Sequence, residues 1–176
     1  KIVNDCEEKA KTMGVDMRGG QPTPGNIQGG ITTIEEKSLG CIFKGGTKPI
    51  QGVLEYGEIP EGKGCYIMDT PGQDIESMTG MVAGGANLVI FTTGRGTPTG
   101  FPIAPVIKVC ANPESYRKMK DNIDIDASTI IEGTETIQQV GEKIFEEMLK
   151  VINGKLTKAE SLKHREFGIY KMISTF

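Results

Sequence analysis

Hydrophobic positions along this chain fall into two patterns, helical steps of three and four residues and short unbroken apolar runs. The clearest helical pattern lies in residues 134–153. There Ile137, Val140, Ile144, Met148 and Ile152 share one face, charged residues cover the other, and Gly154 closes the segment. Residues 1–14 predict a short charged helix ending at Gly14. Another helix begins at Thr32-Thr-Ile-Glu35, a capping-box order in which a hydroxyl and a carboxylate satisfy orphan amides. Ile34, Leu39, Ile42 and Phe43 then mark an approximate apolar face, and Gly45-Gly46 stops the helix.

The apolar runs Cys65-Tyr-Ile-Met-Asp69, Asn87 to Thr93 and Pro105 to Ala111 predict strands. Residues 74–86 read as a helix between the first two. Strand, helix and strand in this order predict a βαβ unit with parallel strands and a right-handed crossover. Asn112-Pro-Glu opens a further helix with Pro113 in its first turn. Ile123 and Ile125 alternate with Asp124 and Asp126, the pattern of a strand or extended edge. Between Gly19 and Gly30 the density of Gly and Pro forbids regular structure. The predicted fold is α/β, a Rossmann-like three-layer sandwich with a mainly parallel sheet and a loop-rich N-terminal region. It forms a single domain over residues 1–176, with a loop-rich helical region at 1–60 and the parallel-sheet core at 61–176.

Composition narrows the function classes. A net charge of -3 favours neither nucleic acid nor an anionic membrane. No apolar run approaches the roughly 20 residues that span a bilayer, and no secretory signal is visible. The expected location is the cytoplasm. Cys6, Cys41, Cys65 and Cys110 are scattered without Cys-x-x-Cys spacing, so they predict no metal cluster. Cys65 and Cys110 sit in strand-like runs and are expected to be buried thiols. The 24 glycines point to tight turns and backbone-lined sites.

The second strand empties into Thr92-Thr-Gly-Arg-Gly-Thr-Pro-Thr-Gly100, and ligands in open α/β sheets bind where strands end. Thr92, Thr93 and Thr97 offer hydroxyls. Gly94 and Gly96 let backbone approach a ligand, and Arg95 grips a carboxylate or phosphate through two parallel hydrogen bonds. The connection from Gly94 to Ala104 lacks a helix, and long structureless loops are usually functional. A second cluster, Asp69, Gln73 and Asp74, follows the preceding strand. Parallel neighbours would bring the two loops to one edge, although Asp74 also suits a helix cap. A third cluster runs from Gln21 to Asn26 and on to Glu35, Glu36, Lys37, Lys44 and Lys48. Carboxylate beside lysine serves as a general base, as a charge-paired metal ligand, or as a solvated helix face, and these readings stay open here.

Two look-alikes fail. Asp69-Thr-Pro-Gly-Gln73 resembles a GTPase switch, but Gly57-Glu-Ile-Pro-Glu-Gly-Lys63 leads into a strand and forms no phosphate-cradling turn. One histidine, His164, builds neither a zinc site nor a nucleophilic triad, and no serine has a nucleophile-elbow context.

The ordered motifs Gly25-Asn-Ile-Gln-Gly-Gly-Ile-Thr-Thr-Ile-Glu-Glu-Lys-Ser-Leu-Gly40, Lys44-Gly-Gly-Thr and Phe91-Thr-Thr-Gly-Arg-Gly-Thr-Pro98 closely resemble the altronate/galactarate dehydratase family. That family includes sugar-acid dehydratases and the large subunit of sulfolactate sulfo-lyase. The resemblance implies the C-terminal portion of a longer lyase, inactive alone, acting on a small hydroxy acid. It implies a partner in preceding domains of the same chain or a small subunit, and a homo-oligomer. A divalent metal, iron or manganese, is implied as cofactor, with ligands outside this portion. The implied catalytic residues are Glu36, Lys37, Lys44 and Asp69. Asn26, Thr92, Thr93, Gly94, Arg95, Gly96 and Thr97 are the implied substrate-binding residues. Arg18 and the His164-Arg-Glu-Phe segment depart toward the sulfo-lyase branch. A non-catalytic anion-binding or oligomerisation domain is the reading from another class.

Overall fold

Alternating Gly-rich turns and short apolar runs build two parallel sheets among the residues described by this computed structural model, 2–15, 20–28 and 30–170. The chain opens with helices α1 (Ile2–Thr12), α2 (Pro24–Gln28) and α3 (Ile34–Lys44), then strands β1 (Ile50–Leu54) and β2 (Cys65–Met68). Helix α4 (Asp74–Ala83) leads to β3 (Val89–Thr93) and β4 (Val106–Cys110). The remainder comprises α5 (Pro113–Lys118), β5 (Ile125–Asp126), α6 (Ser128–Ile131), α7 (Ile137–Ile152) and α8 (Lys158–Ser161). An α/β fold with parallel strands is therefore present.

The larger sheet runs β3-β4-β5, all parallel, with β4 central. β4 is buried at every position, as a strand covered on both faces must be. Ile107 and Val109 pack with Val140 and Val151 of α7, whereas Val106 packs with Met78 of α4 and with Phe101. Period-two alternation thus hands one face of β4 to α7 and the other to α4. The α7 N-terminus carries a full capping box, Thr136 with Gln139.

Several expectations are corrected. β2 does not pair with β3: its partner is β1, whose Gln51-Gly52 interruption hides its apolar pattern. The capping threonine of α3 is Thr33, one residue later than expected, because Glu36 reaches back to Thr32. Ile34, Leu39, Ile42 and Phe43 are all exposed, and nothing among the described residues covers that face. On α7 the buried seam is Val140, Ile144, Met148 and Val151, while Ile137 and Ile152 at its ends point to solvent. Cys65 is exposed and only Cys110 is buried, because β2 lies in a two-stranded sheet without a full cover. Arg18 lies outside the described residues.

Candidate functional site

The loop after β3 is held in shape by its own side chains. Thr93 Oγ1 accepts the Gly96 amide at 3.0 Å, closing a turn that turns Arg95 outward. Gly96 adopts φ +80, which favours glycine, and its Cα presses so closely on the Met119 sulfur that a Cβ would overlap it. Thr97 and Thr99 are buried, with their hydroxyls 2.8 Å apart. Thr97, unlike Thr92 and Thr93, does not line the cavity between this loop and α3.

Helix α3 faces this loop across a cavity of about 750 Å³. Asn26, Glu36, Lys37, Lys44, Asp74, Thr92, Thr93, Gly94, Arg95 and Gly96 line it, so three separate stretches of the chain converge. The Lys37 ammonium donates to Asn26 Oδ1 at 3.1 Å and also to Gln21 Oε1. Asn26 Oδ1 in turn accepts the Thr23 hydroxyl at 2.9 Å, which fixes the amide oxygen toward the lysine. Among the described residues the hydrogen-bond partners of Lys37 are neutral, and no carboxylate there pairs with it. Arg95 and Lys44 likewise form no ion pair among the described residues. Gly25 lies against the guanidinium of Arg95, where an added Cβ would sit 3.2 Å from an Nη atom.

The carboxylates differ in kind. Glu36 accepts the Thr32 hydroxyl at 2.6 Å and the Thr32 amide at 2.8 Å. These bonds, the hydroxyl first, hold its carboxyl below the ordinary value. Asp69 does not reach this cavity. It lines another, of about 400 Å³, together with Asp5, Lys9 and Glu55, because β2 belongs to the other sheet. Asp74 was expected to cap α4, but the N-cap is Gln73 and Asp74 is the first helical residue. Lost hydration and then the charge of Glu76 raise its carboxyl above the ordinary aspartate value. Asp74 shares the cavity lining with Lys37, Lys44 and Arg95, yet none of these cations offsets the rise. The sequence placed Asp74 correctly at a strand-end loop but gave it the commoner capping role.

No group of three or more His, Cys, Asp or Glu among the described residues is arranged to hold a metal ion. These residues therefore do not fit the divalent metal that the resemblance implies. No helix among them is long and apolar enough to cross a membrane.

The cavity at the strand ends of this parallel α/β protein thus gathers lysines, an arginine and threonine hydroxyls. Residues 1–175 match the family model for the C-terminal region of D-galactarate/altronate dehydratase, and the chain belongs to that family. It is 43% identical over 158 residues to (2R)-sulfolactate sulfo-lyase subunit beta of Chromohalobacter salexigens, covering 89% of this chain and 41% of the relative. It is 39% identical over 150 residues to altronate dehydratase of Bacillus subtilis, covering 85% and 30%. Against galactarate dehydratase (L-threo-forming) of Escherichia coli it is 38% identical over 164 residues, covering 93% and 31%. The chain thus spans less than half the length of these relatives, and the family is one of lyases.

Proposed function

We propose that this chain supplies the carboxylate-binding wall of a lyase that eliminates water from a sugar acid to give a 2-keto-3-deoxy acid. The observation that carries this reading is the convergence of Lys37, Lys44 and Arg95, without ion-pair partners among the described residues, on the hydroxyl-lined cavity. Arg95 binds the substrate carboxylate in two-point fashion. A base takes the proton from the carbon next to that carboxylate, and the electron pair left behind delocalises into it as an enediolate. Lys37 and Lys44 stabilise this dianionic intermediate, which carries more charge than the ground state. Asp74 is the carboxyl suited to proton transfer: its raised pKa lets it take the α-proton or deliver a proton to the departing hydroxide. Carbon–oxygen cleavage then gives an enol that tautomerises to the 2-oxo acid. Asn26 and Thr92 hold substrate hydroxyls. The rest of the enzyme, as further domains or a separate subunit, covers the exposed apolar face of α3 and brings the metal ligands.

A second reading has its own support. The sulfo-lyase relative shares 43% identity and is matched over a larger share of its length than the dehydratases. In that reading the same enediolate expels sulfite instead of hydroxide, and three cations suit a substrate with two negative charges. Incubating the full-length enzyme, supplied with iron or manganese, with altronate, galactarate and sulfolactate separates the readings. A 2-oxo acid from a sugar acid supports the first and sulfite supports the second. Neither product from any of the three contradicts both.

A further inference from the structure

β4 carries one residue that its position does not explain. Lys108 is the middle residue of a strand otherwise made of Val, Ile and Cys, and it is 0% exposed. Burying an ammonium costs several kcal/mol unless it is hydrogen-bonded and compensated. Desolvation pulls its pKa down; the charges of Asp124 and Glu166 pull it back up, and Lys158 opposes them. Among the described residues no carboxylate is hydrogen-bonded to its Nζ. Instead it donates to two backbone carbonyls, Pro98 O at 3.1 Å and Thr99 O at 3.3 Å. Both belong to the segment that directly follows Arg95.

The same segment is gripped from its other side. Glu166 Oε2 accepts the Gly100 amide at 3.0 Å, and its Oε1 lies 3.0 Å from His164 Nδ1. Gly100 fits under the His164 carbonyl so tightly that a Cβ would come within 2.3 Å of that oxygen. Pro98 to Gly100 is therefore held between a buried cation and a carboxylate, while Thr92 to Gly96 stays open to the cavity. Two carbonyls alone do not require a lysine, since a neutral amide would satisfy them at lower desolvation cost. A charge is justified where the loop must be held against the pull of a bound anion on Arg95.

We propose that Lys108 and Glu166 form a clamp that positions the Arg95 loop for substrate, with Lys108 as its buried positioning residue. The inference rests on the reading of that loop as the carboxylate site. In the full-length enzyme, Lys108→Met removes the donor, Lys108→Arg restores it, and Glu166→Ala, at a half-buried position, removes the second grip. Two readouts separate the clamp from the loop's role in binding. Hydrogen–deuterium exchange across residues 97–101 is expected to speed about tenfold or more in Lys108→Met and Glu166→Ala, the loss of one charge-assisted bond, with α7 unchanged. KM for the substrate turned over is expected to rise about tenfold while kcat falls less, and Lys108→Arg is expected to recover part of the loss. Unchanged exchange at 97–101 in both variants overturns the clamp. Faster exchange with KM unchanged overturns the positioning role and points to failure of the carboxylate-site reading. Should Lys108→Met not fold, Glu166→Ala gives the same two answers.

Discussion

Lys37 donates to Asn26 Oδ1 at 3.1 Å, so the cation of α3 is aimed by a neutral amide from the loop-rich segment that precedes it. A carboxylate partner would have fixed Lys37 equally well but cancelled its charge. The neutral tether holds the ammonium in place and leaves its field available to an anion in the cavity. Replacing Asn26 by Asp supplies that cancelling charge at nearly constant shape. The expected result is a rise of about tenfold in KM with thermal stability unchanged or improved, measured by steady-state kinetics and melting.

Gly25 and Arg95 give a steric version of the same test. A Cβ at Gly25 would lie 3.2 Å from the guanidinium nitrogen, closer than a relaxed contact, and the flexible arginine is what must yield. Gly25→Ala is expected to leave folding intact and to lower kcat/KM by about tenfold through displaced geometry. Unaltered kinetics would show that the guanidinium position does not matter.

Asp74 predicts a pH dependence. Its carboxyl is raised by lost hydration and by Glu76, so it ionises at higher pH than an ordinary aspartate. If it is the base, kcat/KM falls toward acid with a midpoint above the ordinary value of 3.8, and Asp74→Asn loses that acid limb together with about 10²–10⁴-fold in rate. In stability the sign is opposite to that of a paired carboxylate. The folded state holds this proton more tightly, so the cost of ionising Asp74 appears as pH rises through its raised pKa, and Asp74→Asn removes it.

Glu36 behaves in the other direction. Its folded pKa is depressed by Thr32, so its contribution is present above the ordinary value of 4.5 and is lost as pH falls through the depressed one. Glu36→Gln is therefore expected to lower the melting temperature at neutral pH and to match the parent protein in acid. Its kcat is expected to stay close to that of the parent, since the carboxylate is engaged in capping. A loss of kcat of more than about a hundredfold would return Glu36 to the catalytic role that the resemblance implies.

The parts of the fold legible in the sequence are those with local physical signatures. Thr136 and Gln139 announce the start of α7, Pro113 the start of α5, and the run Val106–Cys110 a buried parallel strand. What sequence misses is relational. Ile137 and Ile152 fit the helical period of α7 but overhang the sheet, because periodicity fixes a face and not how far the neighbouring layer extends. Gly52 interrupts the apolar pattern of β1, which hides the strand that pairs with β2. With β2 in the other sheet, Asp69 lines a different cavity from the Arg95 loop. Lys108 carried a readable signal, a lone charge inside an apolar strand.

The central claim is that the Arg95 loop binds the carboxylate of a hydroxy-acid substrate, and Arg95→Ala in the full-length enzyme tests it most directly. Kinetics should be measured on whichever of altronate, galactarate or sulfolactate the parent enzyme converts. Removing a two-point charge-assisted contact of roughly 2–3 kcal/mol predicts a loss of about 10²-fold in kcat/KM. Arg95→Lys should recover only part, because an ammonium cannot reproduce the two parallel bonds. A kcat and KM both unchanged in Arg95→Ala would contradict the account.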